Sequence, residues 1–132
     1  DYRPTPSQRS MLELLQYLTY CAVIGFESEL HNTSDHKKTL MENAQTVTLE
    51  SFPKAMDDQF KRIAELTQDL TDEDLIHKDT DLPWGGTVKL ARSLTLMGPQ
   101  CLTAYRMQLF LYIKATCDNS IDQGDCWVGM SR

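Results

Sequence analysis

Met11, Leu14, Leu15, Leu18, Cys21 and Ala22 recur every three or four positions, which lays one apolar stripe along a helix over residues 11–30. Ser10 is placed to cap it, and Glu13 three positions on completes a capping box. The leader before it carries Pro4 and Pro6, so it cannot be helix interior. The polar stretch at residues 31–35 stops the helix, and a short one over 35–43, anchored by Leu40 and Met41, can follow. A second stripe runs through Leu49, Phe52, Met56, Phe60, Ile63, Leu66 or Thr67, and Leu70, which predicts a long helix over residues 49–70 behind a Thr48 cap.

Thr71 and the acidic residues after it read as a fresh cap opening a single turn through Ile76, since the helix dipole favours negative charge at that end. Residues 77–86, with Leu82-Pro83-Trp84-Gly85-Gly86, read as loop. Thr87 is expected to cap the last helical region, in which Val88, Ala91, Leu94 and Thr95 are periodic. Gly98-Pro99 then predicts either two helices or one sharply kinked helix, with Pro99 opening the second part. Residues 101–116 are apolar almost all round, which predicts a helix central in its domain or facing a second subunit. In the turn-rich tail, residues 118–132, Trp127 is the one large apolar anchor, and Trp84 is expected to pin its loop in the same way. No segment alternates with period two for long enough to be a strand. The expectation is an all-α, up-down helical bundle, one domain over residues 1–132.

A net charge of −6 over 132 residues argues against duplex nucleic acid or an anionic membrane as partner. No apolar run approaches the ~20 residues that span a bilayer, and no signal-like segment opens the chain. A chain beginning at Asp1 reads as trimmed or as a domain of a longer protein. Cys21, Cys101, Cys117 and Cys126 form no CxxC pair, which fits reduced thiols in the cytoplasm better than a secreted disulfide scaffold. A bridge between Cys117 and Cys126 is open on spacing alone.

Several polar residues invite a functional reading, and each has a plainer one. Cys101, just after Pro99, falls in the first turn of a predicted helix, where thiol pKa values drop; a buried, inert cysteine is the commoner case. Arg106 and Gln108 are polar positions in an apolar helix. Arg106 needs an acidic partner, which the 69–74 stretch can supply, or else it holds a substrate carboxylate between helices. His31, His36 and His77 fit no ligand spacing and read as solvent-exposed. The acidic run lacks the order of a calcium loop, and the Gly85-Gly86 segment lacks the lysine of a phosphate loop.

Three strings, Ser10-Met11-Leu12-Glu13-Leu14-Leu15-Gln16-Tyr17-Leu18, Leu70-Thr71-Asp72-Glu73-Asp74-Leu75 at the end of the second long helix, and Tyr105-Arg106-Met107-Gln108-Leu109-Phe110-Leu111-Tyr112, resemble the DinB-like superfamily of four-helix bundles in order and spacing. The resemblance covers most of the chain. It implies a divalent metal, commonly zinc or nickel, held by one histidine on the second bundle helix and a His-x-x-x-His pair on the last, with thiol-dependent transfer or hydrolysis of small molecules in some members. The corresponding positions here look like Tyr17, Cys101 and Tyr105, none of them histidine. It also implies, since residues 11–30 resemble the family's second helix, either that the first bundle helix has been trimmed away or that the short helix at 35–43 and the split at Gly98-Pro99 change the count.

Two phenols and a thiol are a poor donor set for zinc, because a tyrosine of pKa near 10 rarely ionises to ligate it. The expectation is therefore no metal and no cofactor at a degenerate site, a pocket bounded by Tyr17, Cys101, Tyr105, Arg106 and Gln108, and a protein that acts, if at all, by binding a small molecule. One alternative is a thiol-dependent transferase or hydrolase with Cys101 or Tyr105 as nucleophile or acid. Another is a structural homodimer built on the two-faced helix at 101–116.

Overall fold

Ser10 caps the framework as its sequence demands. Its hydroxyl accepts from the Glu13 N–H at 3.2 Å, and the Glu13 carboxylate accepts from the Ser10 N–H at 2.7 Å. In the computed structural model, which describes residues 2–31, 36–116 and 120–128, this cap opens α1 (Met11–Leu18). The expected single helix over residues 11–30 is broken: the chain turns at Thr19 and Tyr20 and restarts as α2 (Cys21–His31). The Thr19 hydroxyl donates to the Gln16 carbonyl at 2.7 Å, a local bond that competes with helix continuation. Leu14, Leu15, Leu18, Cys21 and Ala22, five of the six stripe residues, are buried along both pieces.

Next come α3 (Lys37–Ala44) and α4 (Phe52–Thr67). Ala44 rather than Met41 is the buried residue of α3. Thr48 does not cap α4 directly. It and Ser51 exchange backbone-to-hydroxyl bonds of 2.9 and 3.3 Å in the turn before the helix, and Pro53 sits harmlessly in the first helical turn. Leu49 is left outside, 74 % exposed. The one fully buried side chain of α4 is polar: Gln59 reaches across to the α1–α2 break, donating to the Leu18 carbonyl at 2.8 Å and accepting from the Ala22 and Val23 N–H groups at 3.2 and 3.3 Å.

Thr71 caps α5 (Asp72–His77) as its sequence predicts, and Asp74 completes a second capping box. The segment read as loop instead contains an antiparallel hairpin, β1 (Asp79–Asp81) with β2 (Thr87–Lys89), pairing Thr80 with Val88. Gly85 and Gly86 make its turn at φ of 97° and 92°, which side chains resist. Thr87 is therefore not a helix cap. It lies in β2, its hydroxyl donating to Asp81 Oδ1 at 2.7 Å, while Thr80 donates to the buried Glu29 of α2. Among the described residues the chain is mostly helical, with this hairpin as its only sheet.

The last helical stretch does not break at Gly98-Pro99. Helix α6 (Leu90–Thr95) passes through a π-helical turn (Leu96–Gln100) into α7 (Cys101–Thr116), with helical backbone angles at Thr95, Leu96 and Cys101. The wider turn absorbs the hydrogen bond that Pro99 cannot donate. α7 is not central: Tyr112 is its fully buried residue, and Leu111 is 57 % exposed. Tail helix α8 (Gln123–Val128) is anchored by buried Cys126, not by Trp127, which is 70 % exposed; Trp84 is likewise exposed. Residues 32–35 and Cys117, with the bridge considered for it, lie outside the described residues. Phe26, Leu90 and Leu94 form the main apolar core, closed over by Leu30, Ile63, Leu66, Leu70 and Leu75.

Candidate functional site

α1 contributes Tyr17 from its last turn, and α7 contributes Tyr105 from its second. Their rings meet edge to face, centroids 4.9 Å apart and planes at 72°, and Tyr20 adds a third ring 5.3 Å from Tyr17. Cys101, one turn before Tyr105, joins the cluster. Burial first, then the hydrogen bond with the Tyr105 hydroxyl, push the Tyr17 phenol well above its ordinary value, so at neutral pH it keeps its proton. Burial also raises Tyr20, against the pull of nearby Arg9.

Arg9 is the residue that the sequence did not single out. Its guanidinium lies 3.8 Å from the centroid of the Tyr17 ring and 6.0 Å from that of Tyr105, a cation–π stack. Its backbone is fixed from α7: Gln108 Nε2 donates to the Tyr112 hydroxyl at 2.6 Å, and that hydroxyl donates to the Arg9 carbonyl at 3.3 Å. Gln108 thus touches the site at second hand rather than lining it. Among the described residues Arg9 pairs with no carboxylate, whereas Arg3 beside it pairs with Glu13 at 2.8 Å.

Arg3, Arg9, Tyr17, Tyr20, Gln16 and Gln45 help to line a recess of about 570 Å³, within the range of small-molecule sites. Gln16 is committed to the Gln45 and Val47 carbonyls at 3.0 and 3.2 Å, leaving Arg9 as the uncompensated charge. Its two arginines outnumber the single acid, Glu13, so the recess is positive in a chain whose net charge is −6.

Arg106 is not part of this site. It lines an apolar recess of about 300 Å³ with Leu18, Phe52, Met56, Phe60 and Leu109. Among the described residues it pairs with no carboxylate, so the acidic 69–74 stretch is not its partner. The buried acid that does hold an arginine is Glu27, 3.2 Å from Arg62 and 3.4 Å from His36. His31, His36 and His77 are exposed, as their polar surroundings predict.

Cys101 sits at the end of the π turn, where its N–H is already bonded to the Leu96 carbonyl, so it has no free helix N-terminus to lower its pKa. What it has is Cys21. The neighbouring Cys21 thiol lowers Cys101 to about 7, while Cys101 and then burial raise Cys21, whose S–H donates to the Leu18 carbonyl at 3.9 Å. The sequence stripe carried Cys21 as a core residue, with no sign that it faces another thiol.

Tyr17 keeps its proton and a guanidinium already covers its ring face, so this donor set does not fit a divalent cation. Among the described residues no group of three or more histidine, cysteine, aspartate or glutamate side chains could hold a metal, and no helix among them is long and apolar enough to cross a membrane. Comparison with protein-family models, with curated proteins and with solved structures finds no match to this chain.

Proposed function

We propose that this chain is a DinB-like helical bundle that has exchanged metal binding for the binding of a small organic anion. The observation that carries the reading is Arg9, stacked on Tyr17 at 3.8 Å and free of a carboxylate among the described residues. A guanidinium offers paired N–H donors to a planar carboxylate, and aromatic walls favour a flat ligand. It also repels the divalent cation that histidines at the Tyr17, Cys101 and Tyr105 positions would attract. The free thiols at Cys21, Cys101 and Cys126 suit the cytoplasm.

Thermal unfolding with a series of aromatic carboxylates, benzoate first, tests the proposal, with benzylamine as the cationic control. Carboxylates should raise Tm with concentration in the natural chain and not in Arg9→Ala, and benzylamine should do nothing. Stoichiometric zinc or nickel in protein purified without a histidine tag would end the proposal. A second reading, a homodimer, is favoured by the apolar side chains that α7 and α8 leave in water, Leu111, Met107, Trp127 and Val128. Light scattering decides it, and a monomer at micromolar concentration counts against it.

A further inference from the structure

Helices α2 and α7 approach each other, through the π turn, more closely than side chains permit. A Cβ on Gly25 would lie 2.7 Å from Met97 Cβ, and one on Gly98 would lie 2.7 Å from Phe26 Cε2. From this crossing Cys21 is one helical turn back from Gly25, and Cys101 is about one turn on from Gly98. In antiparallel elements those two steps lead to the same place, so the two thiols are neighbours, close enough to shift each other's ionisation, with the Cys21 S–H turned to the Leu18 carbonyl at 3.9 Å. They are unequal. Cys21 is buried, whereas Cys101 is only partly so and stands beside Tyr17 and Tyr105. Cys126, by contrast, is buried with its sulfur 3.9 Å from Met107 Sδ.

We propose that Cys21 and Cys101 form a redox-active dithiol that reacts with low-molecular-weight disulfides and closes to an intramolecular disulfide between α2 and α7. Cys101, the more accessible sulfur, loses its proton and attacks one sulfur of the small disulfide. That S–S bond breaks, a mixed disulfide forms on Cys101, and one small thiolate leaves and takes up the proton. Cys21 then gives up its proton, and its sulfur attacks the Cys101 sulfur. The protein disulfide forms and the second small thiol leaves. Two protein S–H groups are oxidised, and one small disulfide is reduced to two thiols. The close crossing supplies the proximity that the second attack needs, because a disulfide tolerates only a short separation between the two Cβ atoms. The inference stands independently of the anion-binding reading, since it needs neither Arg9 nor the recess.

The test uses the full chain, reduced, desalted and exposed to excess oxidised glutathione, with remaining thiols alkylated before intact-mass measurement and non-reducing peptide mapping. The expected result is loss of two alkylatable thiols, a Cys21 peptide linked to the Cys101 peptide, no glutathione retained on either, and full reversal by dithiothreitol. Cys21→Ala should trap one glutathione on Cys101, and Cys101→Ala should slow modification of Cys21 at least tenfold. Recovery of both peptides in reduced form from the natural chain overturns the proposal, as does a link joining either residue to a different cysteine. That mapping decides the matter even if a variant fails to fold.

Discussion

Gln59 holds the break between α1 and α2 together, and replacing it should cost the molecule a large share of its stability. Its amide serves three buried backbone groups on another segment: it donates to the Leu18 carbonyl at 2.8 Å and accepts from Ala22 and Val23 at 3.2 and 3.3 Å. Leu18, Ala22 and Val23 are all nearly inaccessible, so water cannot take over. A buried group stripped of its partner costs about 1–3 kcal/mol. The two N–H groups share one oxygen, so the low end applies to each, and Gln59→Met, which keeps the length without the amide, should lose about 3 kcal/mol. Gln59→Ala adds a cavity and should lose about 1–2 kcal/mol more. A domain of this size has about 7–20 kcal/mol in total. With a urea slope of about 1–3 kcal/mol/M, the Gln59→Met midpoint should fall by about 1–3 M at unchanged slope. Amide exchange at Ala22 and Val23 should quicken more than exchange along α7. A Gln59→Met chain within about 0.5 kcal/mol of the natural one, well under any unpaired-group penalty, would refute this account.

Other sites give smaller and cleaner signals. Ser93 is fully buried and its hydroxyl has no hydrogen-bond partner among the described residues, so Ser93→Ala should be neutral or stabilise by up to about 1 kcal/mol in urea titration, and a clear loss of stability would show that the hydroxyl has a partner. Gly25→Ala drives a Cβ to 2.7 Å from Met97 Cβ and should cost about 1–3 kcal/mol by overpacking; a thermal midpoint equal to the natural chain's would mean that the crossing is looser than described. Alkylation of Cys101 should follow its thiolate, rising with pH through a midpoint near 7 because the neighbouring Cys21 thiol lowers it, and Cys21→Ala should move that midpoint upward. A midpoint that ignores the substitution would separate the two sulfurs.

What the sequence disclosed is what short-range chemistry decides. The capping box of Ser10 with Glu13 and the cap at Thr71, which Asp74 completes as a second box, are four-residue devices, and both caps are where the chain spells them. The α1–α2 break was invisible because its partner, Gln59, lies 37 residues beyond Ala22 and reads as one polar position on an amphipathic helix. The hairpin escaped because its strands are three residues each, too short to show alternation. In α7 the apolar residues outnumber the neighbours available to cover them, so a pattern that suggests a central helix belongs to one with Leu111 in water. Arg9 escaped for a different reason: it sits in a proline-bearing leader with no periodicity, and long-range contacts, among them the Tyr112 bond to its carbonyl and the Tyr2 ring against Tyr112, bring it to the rings.

The aromatic and thiol cluster depends on both backbone irregularities, which is why neither can be treated as incidental to it. On one side, Tyr17 lies in the last turn of α1 and Cys21 opens α2, so the turn at Thr19 and Tyr20 sets how the phenol and the thiol present themselves to α7. On the other, a π turn holds one residue more than the α-helix it interrupts, and one residue rotates everything after it by about 100°. Cys101 and Tyr105 follow the turn directly. With an unbroken α-helix through Leu96–Gln100, the face carrying them would swing away from Tyr17 and Cys21, whatever residues occupied those positions. Pro99 makes the wider turn favourable, since in an unbroken α-helix it could not donate to the Thr95 carbonyl and its ring would press on that carbonyl. A proline expected to open a second helix thus lies inside the π turn and aims the helix that follows.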